Sequence, residues 1–186
     1  MNRPAPWLAV LLLLASCSPY TVVGPGRLSM GPYSVEAESR WTKQRAGAKG
    51  ELWTVDGFDL ESLRFVNGLT DGEALIEPEA KQGAAPAFRS NMAEAEIADL
   101  VVNSLARLGA GSVTTDGLEP ARFGSRDGFR FTLRFLTREG LEMQGTACGM
   151  VADGQLYLIV YSAERSHYYD KYAPQIERML STIQTG

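Results

Sequence analysis

Apolar and polar residues alternate along much of this chain, and the period of that alternation predicts most of its elements. In "YSVEAESRW", residues 33–41, Tyr33, Val35, Ala37, Ser39 and Trp41 oppose Ser34, Glu36, Glu38 and Arg40, which predicts one half-exposed strand. Tyr20–Val23 is a shorter candidate before it. "ELWTVDG" (51–57) and "ESLRFVNG" (61–68) predict two more strands, joined tightly across the Asp56-Gly57 turn signal. Residues 67–91 are rich in Gly, Pro and Ala without sustained period, and a connection of that length in a compact domain is often a lid or a mobile segment. Leu75, Ile76 and Phe88 predict that parts of it touch the core.

The period then changes to that of a helix. Ile97, Leu100, Val101, Leu105 and Leu108 form one apolar stripe, with Asn91 and Glu94 predicted as the two halves of a capping box and Gly109 and Gly111 as the stop. Strands resume at "SVTTDGLEPARFG" (112–124), whose broken alternation predicts a bent or edge strand. In "FRFTLRFL" (129–136), Phe129, Phe131, Leu133 and Phe135 face one way and Arg130, Thr132 and Arg134 the other. "LEMQGTACGMV" (141–151), an Asp153-Gly154 turn and "QLYLIVYSA" (155–163) follow, the last apolar on both faces as befits a central strand. Tyr169, Tyr172, Ile176, Met179, Leu180 and Ile183 keep helical spacing to the end. Pro174 is expected in the first turn of that helix, where its missing N–H costs nothing. The predicted class is α+β: a single, largely antiparallel sheet flanked by two main helices, an α/β/α sandwich.

The N-terminus follows none of these periods. Trp7–Ala15 is an apolar run too short to span a bilayer, with Arg3 before it and small residues after, the layout of a secretory signal. Leu14-Ala15-Ser16-Cys17 resembles the lipobox of bacterial lipoproteins. That resemblance implies cleavage of residues 1–16, acylation of Cys17 and membrane attachment through it, since several acyl chains make anchoring durable. Ser18 after the acylated residue implies, by the sorting rule of such lipoproteins, the outer membrane facing the periplasm.

Of 186 residues, removing 16 leaves 170, enough for one lipid-anchored domain over 17–186. Without Arg3, 17 Lys and Arg stand against 22 Asp and Glu, a net charge of −5 with no basic cluster, which argues against nucleic-acid binding. If Cys17 is acylated, Cys148 is the one remaining thiol and no intramolecular disulfide forms. Cys148 reads as a small apolar strand residue, since nothing nearby in sequence would lower its pKa.

His167 is the chain's single histidine, so any histidine-based catalysis would need it, and beside Tyr168 and Tyr169 it reads as an exposed turn residue. No nucleophile elbow, zinc spacing, calcium loop or phosphate-binding glycine loop occurs, and "GPGRLSMG" (24–31) lacks the lysine and the strand–helix context of the last. The sequence therefore predicts no cofactor, no metal and no enzymatic activity.

The strand "DGFRFTLRFL", the hairpin "GMVADGQLYLIVYSA" and the closing helix "YYDKYAPQIERMLSTI" resemble the Mog1/PsbP-like superfamily, over roughly 115–183. That resemblance implies the fold and an accessory or partner-binding role, without a chemical signature. Two functions are carried forward. One is a non-enzymatic envelope module that binds a protein partner through the 67–91 loop and the aromatic approach to the last helix. The other is a small-ligand or lipid carrier with the loop closed over a pocket. Trp41, Trp53, Arg130, Arg134, Tyr168 and Tyr169 are the candidate contact residues. For the arginines, a solvent-facing sheet or pairing with Glu142 is the plainer reading, and for the aromatics, the core.

Overall fold

The computed structural model describes residues 20–77 and 84–186. Cys17 and the predicted leader 1–16 lie outside the described residues, as do residues 78–83 within the predicted 67–91 connection. The elements are β1 (Thr21–Val23), β2 (Gly26–Ser29), β3 (Tyr33–Ala37), β4 (Trp41–Arg45), β5 (Gly50–Thr54) and β6 (Glu61–Leu69), then α1 (Glu94–Arg107). They continue with β7 (Gly111–Phe123), β8 (Arg126–Leu136), β9 (Glu142–Ala152), β10 (Gln155–Glu164), α2 (Tyr168–Ser181) and β11 (Gln184–Thr185).

Eight strands form one sheet in the order β1-β4-β5-β6-β10-β9-β8-β7, and every pairing in it is antiparallel. Two meanders, β4-β5-β6 and β7-β8-β9-β10, are thus joined side by side where Ser62 pairs with Ser162 and Arg64 with Val160. Period two then sorts the side chains. Val66, Phe129, Phe131, Leu133, Ala147 and Leu158 meet Ile97, Leu100 and Val101 of α1 on one face. Leu63, Phe65, Cys148, Met150, Ile159 and Tyr161 meet Tyr172, Ile176 and Met179 of α2 on the other. The strands β6, β9 and β10 are covered on both sides.

The sheet is not single. A second, three-stranded sheet in the order β11-β3-β2 packs its Met30, Tyr33, Val35 and Ala37 into the α2-side core. The alternation over 33–41 therefore spans two strands, not one. The chain breaks at residues 38–40, where Glu38 takes a two-pronged bond from Arg178 of α2, and Trp41 re-enters the large sheet. Alternation survives the break because both strands bury the same phase.

Two end signals shift for local reasons. Helix α1 begins at Glu94, and its N-cap is Ala93, whose N–H donates to Glu96 at 2.8 Å. Ala93 has no side-chain acceptor, so only the returning half of the box is made. Asn91 stays in the preceding turn because Asp71 holds Ser90 by its backbone N–H and its hydroxyl. Helix α2 begins at Tyr168, so Pro174 sits in its interior rather than in its first turn. Glu164 accepts from the N–H groups of Ser166 and His167 and so starts the turn early. The proline leaves the Asp170 carbonyl without its helical donor, at a residue exposed to solvent. Strand β7 is the bent edge strand its sequence predicts, with register shifts between Gly111 and Thr114 and between Asp116 and Glu119.

Small residues on β9 let the sheet bury large ones beside them. A methyl group on Gly149 would lie 2.8 Å from Leu158 Cδ1 and 3.0 Å from Phe129 Cζ. Gly149→Ala is therefore expected to destabilise the fold by about 1–3 kcal/mol through overpacking, read as a lower midpoint in urea unfolding. An unchanged midpoint would contradict this packing.

Candidate functional site

The α1 side of the sheet is not completely filled. A cavity of about 540 Å³ lies between the sheet and the C-terminal half of α1, a size that suits a small organic ligand. Its walls are mainly apolar. Val101 and Leu105 come from α1, Leu133 and Phe135 from β8, Leu52 from β5, and Leu75 and Ile76 from the connection after β6. The stripe of α1 runs past the end of the core, so Leu108 stays 47% exposed at the rim, with Leu141 of the β8–β9 turn 38% exposed beside the same cavity. Arg138 donates to the Leu108 carbonyl at 3.1 Å and secures the end of the helix there.

The floor is polar. Ser62 and Ser162 face each other across β6 and β10 with their hydroxyl oxygens 3.4 Å apart, and Arg64 lies two residues along the same face of β6. Arg64 is partly buried and makes no hydrogen bond or ion pair among the described residues. It lines the cavity, and burial desolvates the guanidinium and lowers its pKa. Two carboxylates, Asp59 and Glu139, also line the cavity, but neither pairs with Arg64.

The covering segment is tied down by charge. Glu73 accepts from Lys49 Nζ at 2.7 Å and from the Thr70 N–H and hydroxyl at 2.7 and 2.8 Å. Glu77 accepts from the Ala48 N–H at 3.0 Å, and Ala74 bridges to Ala87. These bonds hold residues 70–77 against the β4–β5 turn, with Leu75 and Phe88 buried below. A smaller cavity of about 220 Å³ lies under the same clamp and shares Leu75.

The cyanobacterial PsbP protein CyanoP from Synechocystis sp. PCC 6803 superposes with a TM-score of 0.58 at 11% identity, over 93% of this chain and 99% of that one. The Saccharomyces cerevisiae Ran-binding protein Mog1p superposes with a TM-score of 0.50 at 10% identity, over 89% and 95%. A Bacteroides thetaiotaomicron protein reaches 0.51 at 11% identity, over 87% of this chain and 49% of its own. The fold is Mog1/PsbP-like. No protein-family model matches the sequence, nor does any curated protein.

Most residues marked out by sequence lie on the opposite, α2 side of this Mog1/PsbP-like sheet, and none lines the cavity. Trp41 and Trp53 line no groove: each is 1% exposed, their rings are 6.2 Å apart, and Trp53 Nε1 donates to Glu51. Arg130 is ion-paired with Glu177 at 2.9 Å, with Glu119 at 3.9 Å, so its charge is already answered. Its expected alternative partner, Glu142, pairs instead with Arg165. Arg134 is exposed on its strand. Tyr169 stacks on Tyr161 at 5.6 Å, and Tyr168 meets His167 edge-on and the Lys171 ammonium at 5.5 Å. Leu75, Ile76 and Phe88 of the 67–91 connection and the aromatic approach to α2 therefore pack on opposite faces of the sheet.

The thiol of Cys148 is buried on the α2 side and pushed up to about 11 by desolvation, against the nearby Arg130 charge. Glu61, fully buried, accepts from Thr54 and from the N–H groups of Val55 and Asp56, yet its pKa is still raised by burial. Asp56 is held in turn by Lys171 and Tyr172, both at 2.6 Å, which fastens the β5–β6 turn to α2.

Sequence reasoning missed Arg64, Ser62 and Ser162. Their signal was present: a serine and an arginine on one phase of β6 and a serine on β10, in strands otherwise apolar.

The clamp is predicted to respond to acid. Bonds from Lys49 and Thr70 hold Glu73 at about 2, below its ordinary 4.5. Its contribution is therefore complete above pH 4.5 and lost as the pH falls toward 2. Protection of the amides at Thr70–Leu75 relative to their intrinsic exchange rates is expected to fall in that window, and Glu73→Gln is expected to show the faster exchange already at pH 7. Equal exchange in the two proteins at pH 7 would contradict the clamp.

Proposed function

We propose that this protein is a non-catalytic, small-ligand-binding module of the bacterial envelope, anchored by lipid on Cys17 at the periplasmic face of the outer membrane. The observation that carries the binding reading is the 540 Å³ cavity, apolar in its walls, polar at its floor and bordered by a clamped segment. Ligand sites are commonly concave and mainly apolar, with a few placed polar groups. Of the two expected roles, the carrier role accords with this geometry. Leu75, Ile76 and Phe88 of the connection pack on the face opposite the approach to α2, which favours the carrier role over the partner-binding one.

The groups best suited to chemistry support a non-catalytic reading by their positions. Cys148 is buried with its thiol held protonated, and His167 stands at the exposed start of α2, on the other side of the sheet from the cavity. The anchor rests on the lipobox, and the location on the residue that follows it. Among the described residues no helix is long and apolar enough to cross a membrane.

Native mass spectrometry of the purified full chain tests the binding reading. The expected result is a co-purifying small molecule that is lost from Leu105→Trp, whose larger ring enters the cavity. A ligand-free mass together with no uptake of an apolar fluorophore would overturn the reading. Metabolic labelling with an alkyne fatty acid tests the anchor. Label is expected on the wild-type chain and absent from Cys17→Ser, and an unlabelled wild-type chain would remove the anchor from the account.

A further inference from the structure

The floor of the cavity specifies what its ligand must look like at one end. Arg64 sits on β6 between two paired strands, in register with Leu52 of β5 and Val160 of β10; it lines the cavity, and no described residue accepts from it. A charge held in such a place without a partner is costly, and buried charges in folded proteins are normally paired. Arg27, Arg130, Arg165 and Arg178 all reach carboxylates although they stand nearer the surface. Arg64 differs in facing a void. The carboxylates of Asp59 and Glu139 border the void but leave the guanidinium unpaired, and Arg138 is engaged by the end of α1.

Beside Arg64 stand the hydroxyls of Ser62 and Ser162. Their mutual separation of 3.4 Å is long for an O–H···O bond, so both remain able to donate to a third oxygen. A planar cation with two hydroxyl donors on one face of a sheet is a receptor for an acidic group, since a guanidinium meets two oxygens of a carboxylate or phosphate at once. The walls above are apolar, and the rim ends in exposed Leu108 and Leu141.

We propose that the cavity takes a single-chain amphiphile with an acidic head, the head bound by Arg64, Ser62 and Ser162 and the chain lying between α1 and the sheet. The proposal rests on the binding reading above and adds to it the ligand's charge and orientation. Carboxylates and phosphate monoesters share the required chemistry.

The test measures binding of dodecanoate, dodecyl phosphate and dodecanol, below their micelle-forming concentrations, to the full chain and to Arg64→Met. The wild-type chain is expected to bind at least one acidic probe about tenfold or more tighter than dodecanol, the gain typical of charge-assisted bonds. The tighter of the two acidic probes identifies the head group. In Arg64→Met that preference is expected to fall to near unity while dodecanol binding persists. Its ligand-free thermal midpoint is expected to be no lower than wild type, because an unpaired charge has been removed. The wild-type comparison stands without the variant. Equal binding of all three probes would overturn the acidic-head proposal and leave the carrier reading intact. No binding of any probe would overturn both.

Discussion

Burial of β6, β9 and β10 on both faces is the constraint from which the rest of this structure follows. It sets one helix against each face and requires small residues such as Gly145, Ala147 and Gly149 where large side chains cross. It also makes every polar group on those strands conspicuous. A serine or arginine on a one-sided sheet is simply wet. On these strands it needs a partner or an opening, and Arg64 has the opening. The cavity exists because the apolar stripe of α1 runs beyond the region that β8 and β10 fill.

The two faces are built to different ends. On the α2 side, many charged and aromatic groups meet one another: Glu61 with Thr54 and the β5–β6 turn, Asp56 with Lys171 and Tyr172, Arg130 with Glu177, Tyr169 on Tyr161. On the α1 side, the ionic clamp through Glu73 and Lys49 holds down a covering segment instead of completing a core. A surface pair of this kind adds little to global stability. Its importance is local, in fixing where Leu75 and Ile76 stand.

The legible parts of the fold were those set by short-range periodicity. The stripe of α1, the alternation of β8 and the doubly apolar β10 each appear in the structure as the sequence predicts, because a face is either buried or not within a few residues. The misread parts depended on contacts that periodicity does not record. Residues 33–41 read as one strand because the turn at 38–40 does not change the phase of burial. Asn91 was displaced as cap by Asp71, and Pro174 became interior because Glu164 starts α2 early. The cavity was hidden in the sequence for the same reason. Trp41, Trp53, Tyr168 and Tyr169 have the composition of either a groove or a core, and Arg64 that of an exposed strand face, until the β6–β10 pairing puts both faces under cover.

The central claim is that ligand binding takes place between α1 and the sheet and is centred on Arg64. Nuclear magnetic resonance titration of the isotopically labelled full chain with dodecanoate tests it most directly. The account predicts shifts at the Arg64 side-chain Nε–H and at the amides of Leu75, Val101 and Leu133, with Tyr168, Tyr169 and Trp53 unmoved. Shifts confined to the α2 side, or none at Arg64 on saturation, would contradict it.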